Sequence, residues 1–195
     1  MLRAEPLYKR GQALAALWHA FAGPFAQNAA PPSAFVRRVV KFTELGVGSD
    51  EQPGAGTDID FDLAAVFEIG VALDLQDIGM NQGDAARFVE MYRPQLRAAL
   101  ASLDLTPGQG MPVVMVLRAR APTEPVRFTE TLPTFSAKET IWYEPEFLEG
   151  GESLGKRLEQ LGGRDRKRIV IQIRDLAMSL AQLLPTMPAK KRGRQ

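Results

Sequence analysis

Cysteine is absent from this 195-residue chain, which excludes disulfides, thiolate zinc centres, iron–sulfur clusters and a cysteine nucleophile. Histidine occurs once, as His19. It falls in an apolar helical stretch, a structural position that supplies neither a multi-histidine metal site nor the base of a Ser/His/Asp set. No P-loop or dinucleotide fingerprint is present. No apolar run approaches the ~20 residues that span a bilayer, and the opening Met-Leu-Arg-Ala-Glu-Pro has no signal-peptide core. These absences lead us to expect a cytoplasmic protein with no membrane contact, no cofactor and no resident metal. Positive charge is also missing from a long stretch, since residues 46–84 contain no Lys or Arg.

What is present is ordinary in bulk and uneven in arrangement. Hydrophobic residues make up 45% and charged residues 24%, which suits a soluble globular protein of one domain or two small ones. The net charge of +1 conceals a segregation. Residues 1–45 hold six cations against two acids, residues 46–84 hold nine acids, and residues 150–195 hold eleven cations against four acids. Basic ends around an acidic middle point to nucleic-acid contact through the ends. Mutual neutralisation within the fold or across a dimer is the alternative.

The segment Ser33-Ala-Phe-Val-Arg-Arg-Val-Val-Lys-Phe-Thr-Glu-Leu45 carries most of the functional signal. Phe35, Val39 and Phe42 recur at i, i+4, i+7 and would face a core, while Arg37, Arg38 and Lys41 project elsewhere. A short helix pinned to a core and offering cations outward is the form of a DNA-reading element, with Arg37, Arg38 and Lys41 reaching bases and phosphates. Lys9 and Arg10, at the start of an earlier helix from Tyr8 to Phe21, would touch the backbone of the duplex. Ser33 is a candidate N-cap and Gly46 a natural C-terminal residue.

Periodicity predicts two further helices, at about Asp62–Ile78, ended by Gly79, and at about Asp84–Leu103, kinked at Pro94. Beyond Thr106-Pro-Gly the composition turns to strands, at 112–117, 126–131, 138–143 and 168–173, and then to a short helix from Leu176 to Leu184. The expected architecture is α+β, with an N-terminal helical winged helix-turn-helix domain over residues 1–105. A small β-rich dimerisation or sensing domain, closed by a strand and a helix, would cover 106–188, and a basic disordered tail 189–195.

The stretch Leu45-Gly-Val, followed by Phe61-Asp-Leu-Ala-Ala-Val-Phe-Glu-Ile-Gly-Val-Ala-Leu-Asp-Leu-Gln-Asp-Ile-Gly79, resembles the MerR-like regulators over about residues 8–95. The resemblance implies a dimeric transcriptional regulator that reads a pseudo-palindrome of double-stranded DNA through the major groove. It puts the recognition helix at 33–45, the wing between Gly46 and Asp60, and the next packing helix at Asp84–Arg93. The family's wing is basic, whereas this loop carries Asp50, Glu51, Asp58 and Asp60. The family's long dimerising coiled coil is interrupted here by Pro94 and Thr106-Pro-Gly.

A second motif points to an enzyme. Gly48-Ser49 followed by Asp58-Ile-Asp60 resembles the nucleotidyltransferase signature, in which two aspartates at i, i+2 hold Mg²⁺ against a triphosphate and the Gly-Ser backbone cradles phosphate. Glu130 would be the third carboxylate. A third reading is a non-catalytic interaction module whose acidic middle meets a basic partner. Trp142-Tyr143 beside Glu144-Pro-Glu146 is either a sheet anchor or a ligand contact. Arg164, Arg166, Lys167 and Arg168, and the tail Lys190–Arg194, are further nucleic-acid candidates. The leading reading remains a non-enzymatic, homodimeric DNA-binding regulator.

Overall fold

A computed structural model describes residues 6–23, 30–49, 60–107, 113–118, 145–150, 155, 156, 159 and 168–188. The chain is α+β and divides into two compact units, Met1–Gly110 with Ile173–Gln195, and Met111–Gln172. The first unit contains β1 (Tyr8–Lys9), α1 (Arg10–Ala22), α2 (Ser33–Glu44), β2 (Asp60–Phe61), α3 (Leu63–Asp77), α4 (Gln82–Ser102) and α5 (Ile173–Leu183). The second contains β3 (Val113–Arg118), β4 (Glu146–Glu149) and β5 (Arg168–Ile171). No helix among the described residues is long and apolar enough to cross a membrane.

The helical unit is built around α3. Ala65 through Leu73 are all buried, because helices pack on this segment from several sides and leave it no solvated face. The helix starts at Asp62, whose carboxylate accepts the Ala65 N–H at 2.6 Å. α4 starts the same way, with the Asn81 side chain accepting the Asp84 N–H at 2.9 Å. Tyr92 leaves helical geometry (φ −105°, ψ 15°) just before Pro94, so α4 kinks where the sequence places the proline. α2 docks through Phe35, Val39, Phe42 and Thr43, all buried, and the Phe35 ring meets Trp18 of α1 edge-on at 5.3 Å.

α2 and α3 end alike. Gly46 and Gly79 take positive φ, of 85° and 101°. In α2, Val47 N–H reaches Phe42 C=O at 3.0 Å and Gly46 N–H reaches Thr43 C=O at 3.2 Å. In α3, Met80 N–H reaches Leu75 C=O and Gly79 N–H reaches Gln76 C=O, both at 3.0 Å. Each pattern satisfies the last carbonyls and turns the chain inward onto a buried apolar residue, Val47 or Met80. Ser33 is the first residue of α2 rather than its cap; Pro32 holds the cap position with no side-chain bond.

The last helix departs from expectation. α5 belongs with the N-terminal helices and not with the strands, and it packs on α1 and α3. Its buried Ile173, Ala177 and Leu180 form the inner face. Close approach is made by the missing side chain at Gly70, where a Cβ would sit 3.0 Å from Leu176. Arg174 closes the join: its guanidinium donates to the carbonyls of Asp104 at 3.0 Å and Thr106 at 3.3 Å. Hydrogen bonds from the Thr106 hydroxyl and N–H hold the Asp104 carboxyl below its ordinary pKa. The β unit is thus inserted between α4 and α5, and the expected 106–188 division is corrected accordingly.

In the β unit, β3 lies between β4 and β5, antiparallel to both, with Met115 opposite Phe147 on one side and Ile171 on the other. Val114, Met115 and Val116 are buried. The strands expected at 126–131 and 138–143 lie outside the described residues. β4, with two glutamates in four residues, carried no strand signal in the sequence. The wing expected between Gly46 and Asp60 is described only at its two ends, where Asp60–Phe61 pairs antiparallel with Tyr8–Lys9.

Gly48, at φ +77°, lies against α3, and a Cβ there would stand 2.8 Å from the Ala65 carbonyl oxygen. Gly79 has the same sign of φ with open space around it. Gly48→Ala is therefore expected to cost ~2–4 kcal/mol and Gly79→Ala about 1 kcal/mol, because only the first adds a backbone clash to the conformational strain. Equal losses in chemical denaturation would contradict this packing.

Candidate nucleic-acid interface

The proposed cations fall into two groups. Arg37 is exposed on α2, and Arg10 is exposed at the start of α1; neither has a hydrogen-bond or ion-pair partner among the described residues. Arg38, Lys41 and Lys9 are each held by a carboxylate of the same chain. The Arg38 guanidinium donates to Gln76 at 2.8 Å and forms an ion pair with Asp77, both at the end of α3. The Gln82 amide, in the first turn of α4, returns a hydrogen bond to the Arg38 carbonyl at 3.0 Å. Arg38 therefore ties α2 to the α3–α4 turn. Lys41 pairs with Glu44 at 3.2 Å within α2, and Lys9 pairs with Asp60 at 2.6 Å across the β1–β2 ladder.

The feature with the greatest electrostatic cost is one that periodicity alone did not find. Glu68, on α3, is fully buried, and its carboxylate takes Arg97 at 2.6 Å, Arg93 at 3.1 Å and the Gly48 N–H at 3.2 Å. Arg93 also donates to the Gly46 carbonyl at 2.6 Å. A charge this deep is tolerated only when paired and fully hydrogen-bonded, and here two guanidiniums and a backbone amide supply the partners. The available signal was Glu68, the one charge in the otherwise apolar run Leu63–Leu73, and two arginines four residues apart on the next helix.

This network bears on the enzyme motif. The Gly48 N–H, which a phosphate cradle would need, is donated to Glu68, and Gly48 itself is buried. Asp60 is committed to Lys9. Asp58 and Glu130 lie outside the described residues, as do Trp142, Tyr143, Glu144, Arg164, Arg166, Lys167 and Lys190–Arg194. Among the described residues, no group of three or more His, Asp or Glu side chains is arranged to hold a metal ion. His19 is half-buried in α1.

Asp74, one turn before Asp77 on α3, has its pKa pushed up to about 6, first by burial and then by the Asp77 charge. The sign follows from linkage. The folded state holds the Asp74 proton more tightly than the unfolded chain, so this carboxyl lowers stability progressively as pH rises from about 4 to about 6, and the penalty is complete above that.

No family model matches the chain, and no curated protein matches it at a significant level.

Two outcomes test the electrostatics of this unit. Asp74→Asn is expected to raise stability at pH 7.5 by ~1–2 kcal/mol, after discounting its solvent-facing part, and to give no gain at pH 4. An equal gain at both pH values would contradict the assignment. Glu68→Gln, which leaves two guanidiniums without a counter-charge, is expected to cost ~3–5 kcal/mol in urea denaturation; a loss below ~1 kcal/mol would show that the pairing is unimportant.

Proposed function

We propose that the chain is a sequence-specific double-stranded DNA-binding protein acting in transcriptional control, with α2 as the reading helix. One observation carries this reading: α2 is anchored by a buried apolar face, and Arg37, with no partner on its own chain among the described residues, projects from the opposite side. An arginine held on a rigid element and free at its tip suits bidentate contact with a guanine edge. Lys41, in the last turn of the same helix, and Arg10, at the start of α1, would supply phosphate contacts. Arg38 takes a different part from the one its sequence position suggests. Its bond to Gln76 and the Gln82 bond to its carbonyl set the angle at which α2 is presented.

Support for this reading comes also from rigidity. α2 is fixed by Phe35, Val39 and Phe42 beneath and by the Arg38–Gln82 connection at one side, so little ordering would be lost on binding. The resemblance to the MerR-like regulators adds the expectation of a two-fold-related pair of copies on a pseudo-palindrome.

Selection of bound duplexes from a random pool, followed by titration of the enriched sequence, tests this. Arg37→Ala is expected to weaken binding by ~1–3 kcal/mol and to relax preference at one base position. Lys41→Ala is expected to weaken all sequences alike and to leave base preference unchanged. Failure to enrich any motif, or an Arg37→Ala variant that binds as tightly as the parent, would overturn the reading.

A further inference from the structure

Three of the five cations on the proposed interface are engaged by carboxylates, and all three pairs face solvent. The side chains are 55% and 35% exposed in Lys9–Asp60, 32% and 50% in Arg38–Asp77, and 54% and 57% in Lys41–Glu44. Pairs in water at this exposure are weakly held and exchange readily with another anion. A phosphate oxygen presents the same charge and the same acceptor geometry to a guanidinium or ammonium as a carboxylate does. Each carboxylate therefore competes for its cation with any phosphate that approaches it. Arg37, which is unpaired among the described residues, faces no such competitor.

Building on the DNA-binding reading, we propose that Asp60, Asp77 and Glu44 are affinity-limiting residues that screen Lys9, Arg38 and Lys41 against phosphate contact. A duplex of arbitrary sequence must displace the carboxylates to gain phosphate contacts, and the carboxylates then lie against the polyanion. Little net charge is neutralised, so non-specific affinity stays low. A duplex that satisfies Arg37 gains a contact that no carboxylate opposes. The screen thus lowers the affinity that phosphate contacts give to every duplex, so that stable binding depends on the added Arg37 contact, while the ratio between cognate and arbitrary sequences stays set by base contacts.

The test compares two isosteric triple variants of the full-length protein that carry the same net charge. The first, Glu44→Gln/Asp60→Asn/Asp77→Asn, removes the three screening charges. The second, Glu90→Gln/Glu159→Gln/Asp175→Asn, removes three exposed acids that have no cation partner among the described residues. Circular dichroism melts establish that each variant is folded. Affinity for a selected duplex and for an unrelated duplex is measured from 50 to 300 mM KCl. The screening variant is expected to bind the unrelated duplex at least tenfold more tightly than the control variant does. Its log–log salt slope should steepen by about 0.9 for each cation released, and its affinity for the selected duplex should rise by a similar factor. Equal affinity and equal slope in the two triple variants would overturn the proposal, since only general charge would then matter. If neither the parent protein nor either variant binds any duplex, the DNA-binding reading itself fails and the screen fails with it. Melting of the screening variant at the parent's temperature with unchanged DNA affinity also counts against the proposal, because the fold would be intact and the effect missing.

Discussion

The burial of one negative charge governs how the helical unit is assembled. Glu68 sits where solvent does not reach, and its ionised form would be prohibitively costly there without compensation. Compensation arrives from two directions. Arg93 and Arg97 come from α4, and the Gly48 amide comes from the turn that follows α2. The same Arg93 reaches on to the Gly46 carbonyl, so the turn is gripped at both a donor and an acceptor. This carboxylate fastens α3 to α4 through Arg93 and Arg97 and to the turn after α2 through the Gly48 amide. Apolar packing alone tolerates sliding by a fraction of a turn, whereas a charge with fixed donors does not. The placement of the cationic helix is in this sense an outcome of what lies beneath it.

Much of the helical layout was legible because its boundaries are written in single residues. Gly46 and Gly79 stop α2 and α3 at the positions their identity suggests, Asp62 caps α3, and Pro94 bends α4. The apolar spacing of Phe35, Val39 and Phe42 identified the buried side of α2. The illegible parts depend on partners distant in sequence. That Arg38 is bound to Gln76 and Asp77 is invisible in a local reading, which sees only an arginine on a polar face. α5 shows the same limit. Its amphipathic pattern marked a helix, yet nothing local tells which surface it covers, and proximity in sequence to a strong strand suggested the wrong one. Residues 168–173, expected as one strand, divide at Gln172, where the strand ends and the helix begins.

The segregation of charge along the sequence is in part undone by folding. Lys9 and Arg38 belong to the basic first segment, and Asp60 and Asp77 to the acidic second one; they meet as ion pairs. Glu68 is likewise answered by arginines from beyond residue 84. A charge map drawn along the chain therefore overstates the field at the surface. Arg37, which like Arg10 has no counterpart among the described residues, differs from its neighbour Arg38 by one position on one helix, which is enough to turn it from the α3–α4 turn to open solvent.

The insertion of the β unit between α4 and α5 also sets the order in which the protein can be completed. α5 supplies Ile173, Ala177 and Leu180 to a core whose other contributors, α1 and α3, are synthesised far earlier. Until residues beyond 172 have been made, the surfaces of α1 and α3 that α5 covers lack that partner. Contacts of such long sequence separation form late, because the intervening chain must first be closed into a loop. The nascent chain therefore carries an unfinished apolar face throughout the synthesis of the strands, and Arg174 ties the returning helix to Asp104 and Thr106 as that face is sealed.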